Sequence, residues 1–262
     1  MSYHSTEVRQ RALTLLRGGA RNADVARTFN IPLGTISYWK HMDRAKRGEC
    51  PGRPLRPPCP RCDGELHSSA YAYLLGLYLG DGHIIQNRSM RCPSLSITCA
   101  ETYPGLMDEC ENAMRAVLPH NSVSRVRRKG CREVKVYSTH LWCLFPQHGP
   151  GKKHDRKIAL APWQQEIVDA HPWKFIRGLI HSDGCRITNW TTRLVGGERK
   201  RYEYPRYFFT NKSDCIRQLF TGTLDALGLA WTHCTRQGNP YNISVARKAD
   251  VALLDTHIGP KY

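Results

Sequence analysis

Apolar residues at helical spacing dominate the beginning of the chain, where they predict three short helices. The first should begin at Ser5 or Thr6 and end at Gly18-Gly19, with an apolar face made of Val8, Ala12, Leu13, Leu15 and Leu16. Asn22 should cap a second helix over 23–29. A turn at 30–32, Asn-Ile-Pro, then leads to a third helix over 33–42, which directs Ile36 and Trp39 inward.

An internal repeat organises the rest of the chain. Residues 74–82 are Leu-Leu-Gly-Leu-Tyr-Leu-Gly-Asp-Gly, and residues 176–184 are Ile-Arg-Gly-Leu-Ile-His-Ser-Asp-Gly. A hairpin (83–99; 185–210), a helix (103–118; 213–227), a second hairpin (122–137; 230–246) and a short helix (139–145; 248–256) are predicted after each motif. The copies close on Gly-Pro-Gly-Lys-Lys at 149–153 and Gly-Pro-Lys at 259–261. Five elements in the same order indicate a duplicated α+β unit.

Composition divides the chain further. We expect a small all-α domain over 1–45, a linker rich in Pro, Arg and Gly over 46–68, and two halves of a mixed α+β body over 69–160 and 161–262. The N-terminus is polar and no apolar run is long enough to span a bilayer, so we expect a protein of the cytoplasm, associated with the bacterial nucleoid.

Charge points to the partner. The chain has 39 Lys and Arg against 22 Asp and Glu, a formal charge of +17. A field of this sign attracts polyanions, and double-stranded DNA is the partner we expect. No segment opposes a basic face to a Trp/Leu face, so a membrane partner is not expected.

The repeated motif has a chemistry of its own. Gly76 and Gly80 share one helix face, as do Gly178 and Ser182, and small residues at that spacing let two helices pack closely. Asp81 and Asp183 would then meet at equivalent helix ends, each before a glycine that should stop its helix, Gly82 or Gly184. Two facing carboxylates repel unless a cation lies between them, and Mg²⁺ or Mn²⁺ prefers such oxygen ligands.

These motifs resemble the two signature helices of double-motif LAGLIDADG homing endonucleases over residues 69–262. The resemblance implies two pseudo-symmetric αββαββα halves that form a saddle on DNA, and site-specific, metal-dependent hydrolysis of both strands. It also implies that Asp81 and Asp183 bind the metal, joined by the carbonyls of Gly80 and Ser182.

The resemblance further implies a lysine after each half that supports the attacking water. Lys153, or its neighbour Lys152, fills that place in the first half, with Lys157 also near, and Lys261 fills it in the second. His181 and Ser182 depart from the family pattern, although neither removes a metal-binding acid.

Candidate DNA contacts come from two regions. The first helices resemble the helix-turn-helix of recombinases and transposases, whose last helix enters the major groove; Thr35, Ser37, Tyr38 and Lys40 would read bases there. In the hairpin 122–137, Val126, Val134 and Val136 should face the helices, so that Arg125, Arg127, Lys135 and Tyr137 face outward. Arg186, Arg206 and Arg236 are the candidates of the second half.

A Cys-x-x-Cys pair, Cys59 and Cys62, lies in the linker, with Cys50 before it and His67 after it. These four side chains could bind a structural Zn²⁺. The other eight cysteines are scattered and are expected to behave as small apolar residues.

Two other functions remain open from the sequence. A family of bacterial transcription regulators also joins a LAGLIDADG-like domain to a helix-turn-helix, typically without the catalytic acids, so a DNA-binding regulator that does not cleave is the alternative. Some LAGLIDADG proteins assist RNA splicing, which no residue here requires. Because both motifs lie on one chain, we expect a monomer.

Overall fold

The computed structural model describes residues 4–50, 57–86, 92–236 and 238–262. Residues 51–56, within the predicted linker, lie outside this description. The chain divides into two compact units, Met1–Pro57 (unit 1) and Pro58–Tyr262 (unit 2). No helix among the described residues is long and apolar enough to cross a bilayer.

The described residues of unit 1 form three helices: α1 (Thr6–Arg17), α2 (Asn22–Phe29) and α3 (Leu33–Lys46). Ser5 caps α1 through a bond from the Val8 amide at 3.3 Å, and Gly18 ends it, as expected. The small core consists of Ala12, Leu16, Val25, Ile31, Ile36 and Trp39. Leu15 was predicted to face this core, but it is 44% exposed. The three predicted helices are therefore present, with one apolar position on the wrong side.

Asn22 does not cap α2, contrary to the prediction. Arg21 holds the cap position, and Asn22 is the first helical residue. The Asn22 amide instead donates to Ser37 Oγ at 3.1 Å and accepts from Lys40 Nζ at 3.3 Å. These bonds join α2 to α3. Because they engage the Asn22 side chain, it is not available to accept from the free backbone amides at the start of α2.

Unit 2 repeats one order of elements twice, αββαββα. The first copy comprises α4 (Ser68–Gly80), β1 (Gly82–Ile85), β2 (Ser94–Ala100), α5 (Pro104–Val117), β3 (Val123–Arg128), β4 (Cys131–Tyr137) and α6 (Leu141–Leu144). After a 3₁₀ turn (Lys153–Asp155) and α7 (Pro162–Ala170), the second comprises α8 (Pro172–Asp183), β5 (Gly184–Val195), β6 (Glu198–Thr210), α9 (Asp214–Ala226), β7 (Thr232–Arg236), β8 (Asn239–Val245) and α10 (Lys248–His257). The α+β class and the duplication are confirmed, and α7 is an element that was not predicted from the sequence.

Each copy forms one antiparallel four-stranded sheet, in the orders β1-β2-β4-β3 and β5-β6-β8-β7. Alternate residues bury one face of each sheet in the core: Leu95, Ile97, Val134 and Val136 in the first, and Tyr207, Phe209, Ile243 and Val245 in the second. The turn between β5 and β6 falls at Gly196 and Gly197, which both adopt positive φ, as a tight hairpin turn requires.

Strand β3 presents the opposite face from the one predicted. Arg125 lies directly across from Val134, and Arg127 lies across from Arg132. Residues directly opposite share a face, so both arginines are on the side of the buried valines, whereas Val126 is on the outer side with Glu133. Arg125 bonds there to Glu111 at 2.7 Å and to Asp108 at 2.6 Å on α5.

Candidate functional site

Helices α4 and α8 cross with their backbones in contact. A Cβ on Gly76 would lie 2.5 Å from the Phe175 carbonyl oxygen, and a Cβ on Gly178 would lie 2.2 Å from the Tyr73 carbonyl oxygen. Any larger residue would force the helices apart. The repeated glycines therefore bring the two motif helices together, as their spacing predicts.

The same crossing sets the two aspartates at neighbouring helix ends. Asp81 caps α4, and Asp183 is the last residue of α8. A Cβ on Gly80 would lie 2.1 Å from Ser182 Oγ and 3.0 Å from Asp183 Oδ2, so Gly80 leaves the space in which the Asp183 carboxylate lies. We refer to Asp81 and Asp183 as the aspartate pair.

Gly82 and Gly184 follow the pair for a different reason from the one expected. Neither has the positive φ of a left-handed helix cap. Each is the first residue of a strand, and a Cβ there would lie 2.5 Å from Tyr78 Cα or 2.7 Å from Ile180 Cα. The chain thus turns back against its own helix, where only a glycine fits.

Two lysines occupy equivalent places beside the pair. Lys153 Nζ donates to the carbonyls at the end of α4: Tyr78, Leu79 at 3.0 Å and Gly80 at 2.7 Å. Lys261 Nζ donates to the Ser182 carbonyl at 2.8 Å, near the end of α8. A cation is favourable at a helix C-terminus, where carbonyl oxygens have no partner in the helix. The structure therefore places Lys153 and Lys261 at the pair, as their sequence positions suggested.

The residue after Lys261 anchors that lysine. The Tyr262 hydroxyl donates to Glu109 Oε1 at 2.6 Å, and its carbonyl accepts from the Leu106 amide at 3.2 Å. Arg177 on α8 binds the same Glu109 carboxylate at 2.6 Å. A contact between the two copies thus fixes the backbone on which Lys261 is carried.

Burial shifts the pKa of all four groups toward their neutral forms. It raises the pKa of Asp81, and, together with the charge of Asp81, it raises the pKa of Asp183 to about 6. It lowers the pKa of Lys261 and lowers that of Lys153 to about 8, although both carboxylates oppose this change. Groups with pKa values moved toward neutrality by burial and a close partner are typical of functional sites.

One residue of this site was missed from the sequence. Asn211 Nδ2 donates to Asp183 Oδ2 at 2.6 Å, and its carbonyl accepts from Arg217. A cleft of about 410 Å³ opens beside Asp183, lined by Leu79, Gly80, Lys152, Lys153, His154, Asp183, Thr210, Asn211 and Lys212. Three lysines in this lining make the cleft suited to an anion.

His181, which departs from the family pattern, is buried between the two motif helices. Its Nδ1 lies 2.9 Å from the Tyr73 hydroxyl, and the two rings meet edge to face. Burial lowers the pKa of His181 to about 4, so the ring is neutral at physiological pH. His181 is thus a packing residue of the crossing, with no contact to the aspartate pair among its described bonds.

The predicted DNA contacts divide between the two faces of the sheets. Lys135 lies on the face of its sheet away from the buried valines, across from Ser96 and Ser124, where it is 13% exposed and 3.3 Å from Glu133. Arg206 lies on the corresponding face of the second sheet, across from Ile187 and over the rings of Tyr204 and Phe208. Arg125 faces the helices, and so does Arg186, which binds Asp255 at 2.6 Å on α10. Arg127 lies on the same side as Arg125 but is 82% exposed, with Glu101 at 3.9 Å. The predicted outward orientation of Arg125 and Arg127 is wrong. The backbone of Arg236 ends β7, but its side chain lies outside the described residues.

The candidate base-reading residues of α3 also divide. Tyr38 is 51% exposed, and Thr35 is half-buried. Ser37 and Lys40 are both bonded to Asn22 of the neighbouring helix. A role of unit 1 in reading DNA remains a prediction.

Two of the four predicted zinc ligands lie together in unit 2. Among the described residues, Cys59 and Cys62 form a group with Cys143 that could hold a metal ion, and neither Cys50 nor His67 belongs to it. Cys50 lies in unit 1, with its sulfur 3.9 Å from His41 Nδ1. His67 Nδ1 caps α4 by accepting from the Ala70 amide at 3.3 Å. His67 therefore lies outside this group, and the predicted role of Cys50, which belongs to the other unit, stays a prediction.

Comparison with known proteins gives likenesses of structure at low identity. No protein-family model matches the chain, and no curated protein matches it. The homing endonuclease I-DmoI, solved in complex with DNA and Mn, is similar at 17% sequence identity and a TM-score of 0.48, over 74% of this chain and 98% of that one. A variant of I-SmaMI is similar at 10% identity and a TM-score of 0.44, over 72% of this chain and 84% of that one. The N-terminal LAGLIDADG domain of WhiA is similar at 13% identity and a TM-score of 0.45, over 73% of this chain and 83% of that one. The chemistry of the aspartate pair, rather than any of these likenesses, points to a function.

Proposed function

We propose that the protein is a LAGLIDADG-type endonuclease that cuts double-stranded DNA at specific sites and requires a divalent cation. The observation that carries this proposal is the aspartate pair at the crossing of α4 and α8, flanked by Lys153 and Lys261. Two acids at equivalent helix ends, each with a lysine, form a duplicated set of groups that suits the cutting of two strands.

The donor set fits Mg²⁺ or Mn²⁺. Both acids have a raised pKa because they are withdrawn from water, so an added cation would remove an existing cost. The carbonyls of Gly80 and Ser182 accept from the lysines and, with two lone pairs each, can serve a second partner. We assign the metal to Asp81 and Asp183, supported by these carbonyls. When bound, it would neutralise charge on the scissile phosphate and make a nearby water more acidic.

The chain's own residues complete the chemistry. Asn211 holds Asp183 Oδ2, which fixes the direction of that carboxylate. Lys153, with its pKa lowered to about 8, can exchange a proton near neutral pH, and in its charged form it neutralises a phosphate oxygen. Lys261 would do the same for the second strand.

DNA binding is supported by charge. The lysines of the cleft beside Asp183 make this cleft suited to a phosphate backbone that approaches the pair. Lys135 and Arg206, on the sheet faces away from the helices, are the contacts that we retain from the sequence. Because one chain supplies both aspartates, we propose that a monomer is the active form.

A DNA-binding regulator without cleavage is the second candidate, and the three-helix unit 1 favours it. The two functions share DNA binding and differ in the need for the aspartate pair. A regulator would bind DNA equally well after Asp81→Asn or Asp183→Asn, and it would leave the DNA intact.

A pooled duplex library distinguishes these functions. Purified protein is incubated with duplexes from the genomic region around its gene, in Mg²⁺, Mn²⁺ or EDTA, and new DNA ends are sequenced. We expect ends at one sequence with either metal and none with EDTA, Asp81→Asn or Asp183→Asn. Asp255→Asn is the matched control, because Asp255 is bound by Arg186 and Tyr207 away from the pair. Salt-sensitive binding without new ends would favour the regulator.

A further inference from the structure

A group of cysteines that could hold a metal ion joins the beginning of unit 2 to α6. The sulfur atoms of Cys59, Cys62 and Cys143 all lie within 4.8 Å of one another, and those of Cys62 and Cys143 are 3.1 Å apart. We call these three residues the cysteine cluster. A Zn–S bond is about 2.3 Å long, so sulfurs around one tetrahedral zinc are separated by roughly 3.8 Å. The cluster therefore has the dimensions of a thiolate zinc site.

Two distant parts of the chain meet in this cluster. Cys59 and Cys62 lie on a tight turn that Asp63 closes, since its amide donates to the Cys59 carbonyl at 2.9 Å and its carboxylate accepts from the Cys59 amide at 3.1 Å. This turn directs both sulfurs the same way. Cys143 comes from α6, more than 80 residues later. Residues 57–67 form no strand or helix, so the turn alone positions Cys59 and Cys62, while α6 positions Cys143.

The segment that carries the turn has little apolar anchoring of its own. Residues 61–65 are all exposed, while Cys59 is 5% exposed. A segment without a core usually needs a cross-link to hold one conformation, and in small folds a metal often supplies it. The cysteine cluster is the feature that can do so here.

Arg61 supplies a compensating charge. Its guanidinium lies 3.3 Å from the Cys143 sulfur and stacks over the Trp163 ring at 4.6 Å. Three thiolates around a divalent zinc leave one net negative charge, which a cation fixed beside the sulfurs offsets. The side chain between the two cysteines of the turn is thus placed for a metal–thiolate group.

We propose that Cys59, Cys62 and Cys143 bind one structural Zn²⁺, which ties the segment before α4 to α6. The fourth ligand would be a nitrogen or oxygen donor from outside this group, such as a water molecule. The tie reinforces contacts already present, in which the Tyr71 hydroxyl on α4 donates to the Leu144 carbonyl. Because α4 carries Asp81 at its other end, the zinc holds a motif helix in its place.

Metal analysis of the full chain tests this proposal. Protein purified without chelator should contain about one zinc per chain, and X-ray absorption should show three sulfur neighbours and one lighter atom. Replacing zinc by Co²⁺ should produce the absorption band of cobalt–thiolate charge transfer. Cys143→Ser should lose the metal, whereas Cys131→Ser, which changes a cysteine of β4 outside the cluster, should retain it.

If Cys143→Ser fails to fold, measurements on the wild-type protein still test the proposal. Chelation of the wild-type protein should lower its melting temperature and make three further thiols reactive. Wild-type protein that contains no zinc and does not take up Co²⁺ would overturn the proposal. So would a Cys62–Cys143 disulfide, found by mass spectrometry in protein prepared under reducing conditions. None of these readouts depends on DNA cleavage.

Discussion

Replacing Asp183 by asparagine should stabilise the metal-free protein while it abolishes cleavage. Asp183 is half-buried, faces the charge of Asp81, and has its pKa raised to about 6 from an ordinary value of 3.8. The folded protein therefore holds a proton between these pH values that the unfolded chain releases. The contribution of Asp183 to stability is therefore most favourable below pH 4, becomes less favourable as the pH rises to about 6, and stays lowered above it. Asparagine has no charge to withdraw from water, and its carbonyl can still accept from Asn211.

The size of the effect follows from the shift. A difference of about two pKa units corresponds to about 3 kcal/mol of lost stability at pH 7.5. The raised pKa already contains the attraction of Lys153 and Lys261, and because Asp183 is only partly buried, screening by solvent reduces this figure. We expect a net stabilisation of about 1–2 kcal/mol, or about 2–8 °C in the melting temperature of a unit of this size.

Calorimetry of the full chain in EDTA, at pH 7.5 and at pH 4, measures the difference in melting temperature between Asp183→Asn and the wild type. Asp183→Asn should melt above the wild type at pH 7.5, and the difference should vanish at pH 4. Added Mn²⁺ should raise the melting temperature of the wild type and not that of the variant.

Asp255→Asn is a control with the opposite sign. Arg186 and Tyr207 hold the pKa of Asp255 below its ordinary value, so this variant should lose stability at pH 7.5. If Asp183→Asn melted below the wild type in EDTA at pH 7.5, the burial and repulsion assigned to the pair would be refuted.

Three other predictions concern the helix crossing, the lysines and pH. Gly76→Ala should destabilise by at least about 3 kcal/mol in urea unfolding, because its Cβ meets backbone atoms, whereas Gly222→Ala, in open space on α9, should stabilise by about 0.5–1 kcal/mol. Lys153→Met should slow single-turnover cleavage by about 10²-fold, and the exposed Lys157→Met should leave it unchanged; equal rates in both variants would contradict the role of Lys153. Mn²⁺ affinity measured by calorimetry should fall about tenfold from pH 7.5 to pH 5, as protons compete for Asp183; a flat profile would contradict the assignment.

The duplicated order of elements could be predicted because each copy has local signals. Gly196 and Gly197 mark a turn by their backbone freedom, and Gly76 and Gly178 share one motif position. The motif also located Asp81, and with it the lysines that close each copy. These features depend on short stretches of chain, which is what a sequence pattern records.

Features that depend on pairing between distant segments could not be predicted. The face of β3 is set by its register with β4, and a shift of one residue exchanges Arg125 with Val126. Asn211 reaches Asp183 because β6 ends beside α8, and Cys143 reaches Cys62 across more than 80 residues. Neither has a local pattern that distinguishes it from other asparagines or cysteines of the chain.

Strand-resolved cleavage of one selected duplex tests the central claim most directly. A duplex recovered from the library, labelled separately on each strand, is cut by the wild type, Asp81→Asn, Asp183→Asn and Asp255→Asn in Mg²⁺. The aspartate pair predicts that the wild type and Asp255→Asn cut both strands, and that neither variant of the pair cuts the duplex through, although both still bind it. Cleavage of both strands at the wild-type rate by Asp81→Asn or Asp183→Asn would contradict the assignment of the pair as the metal-dependent centre.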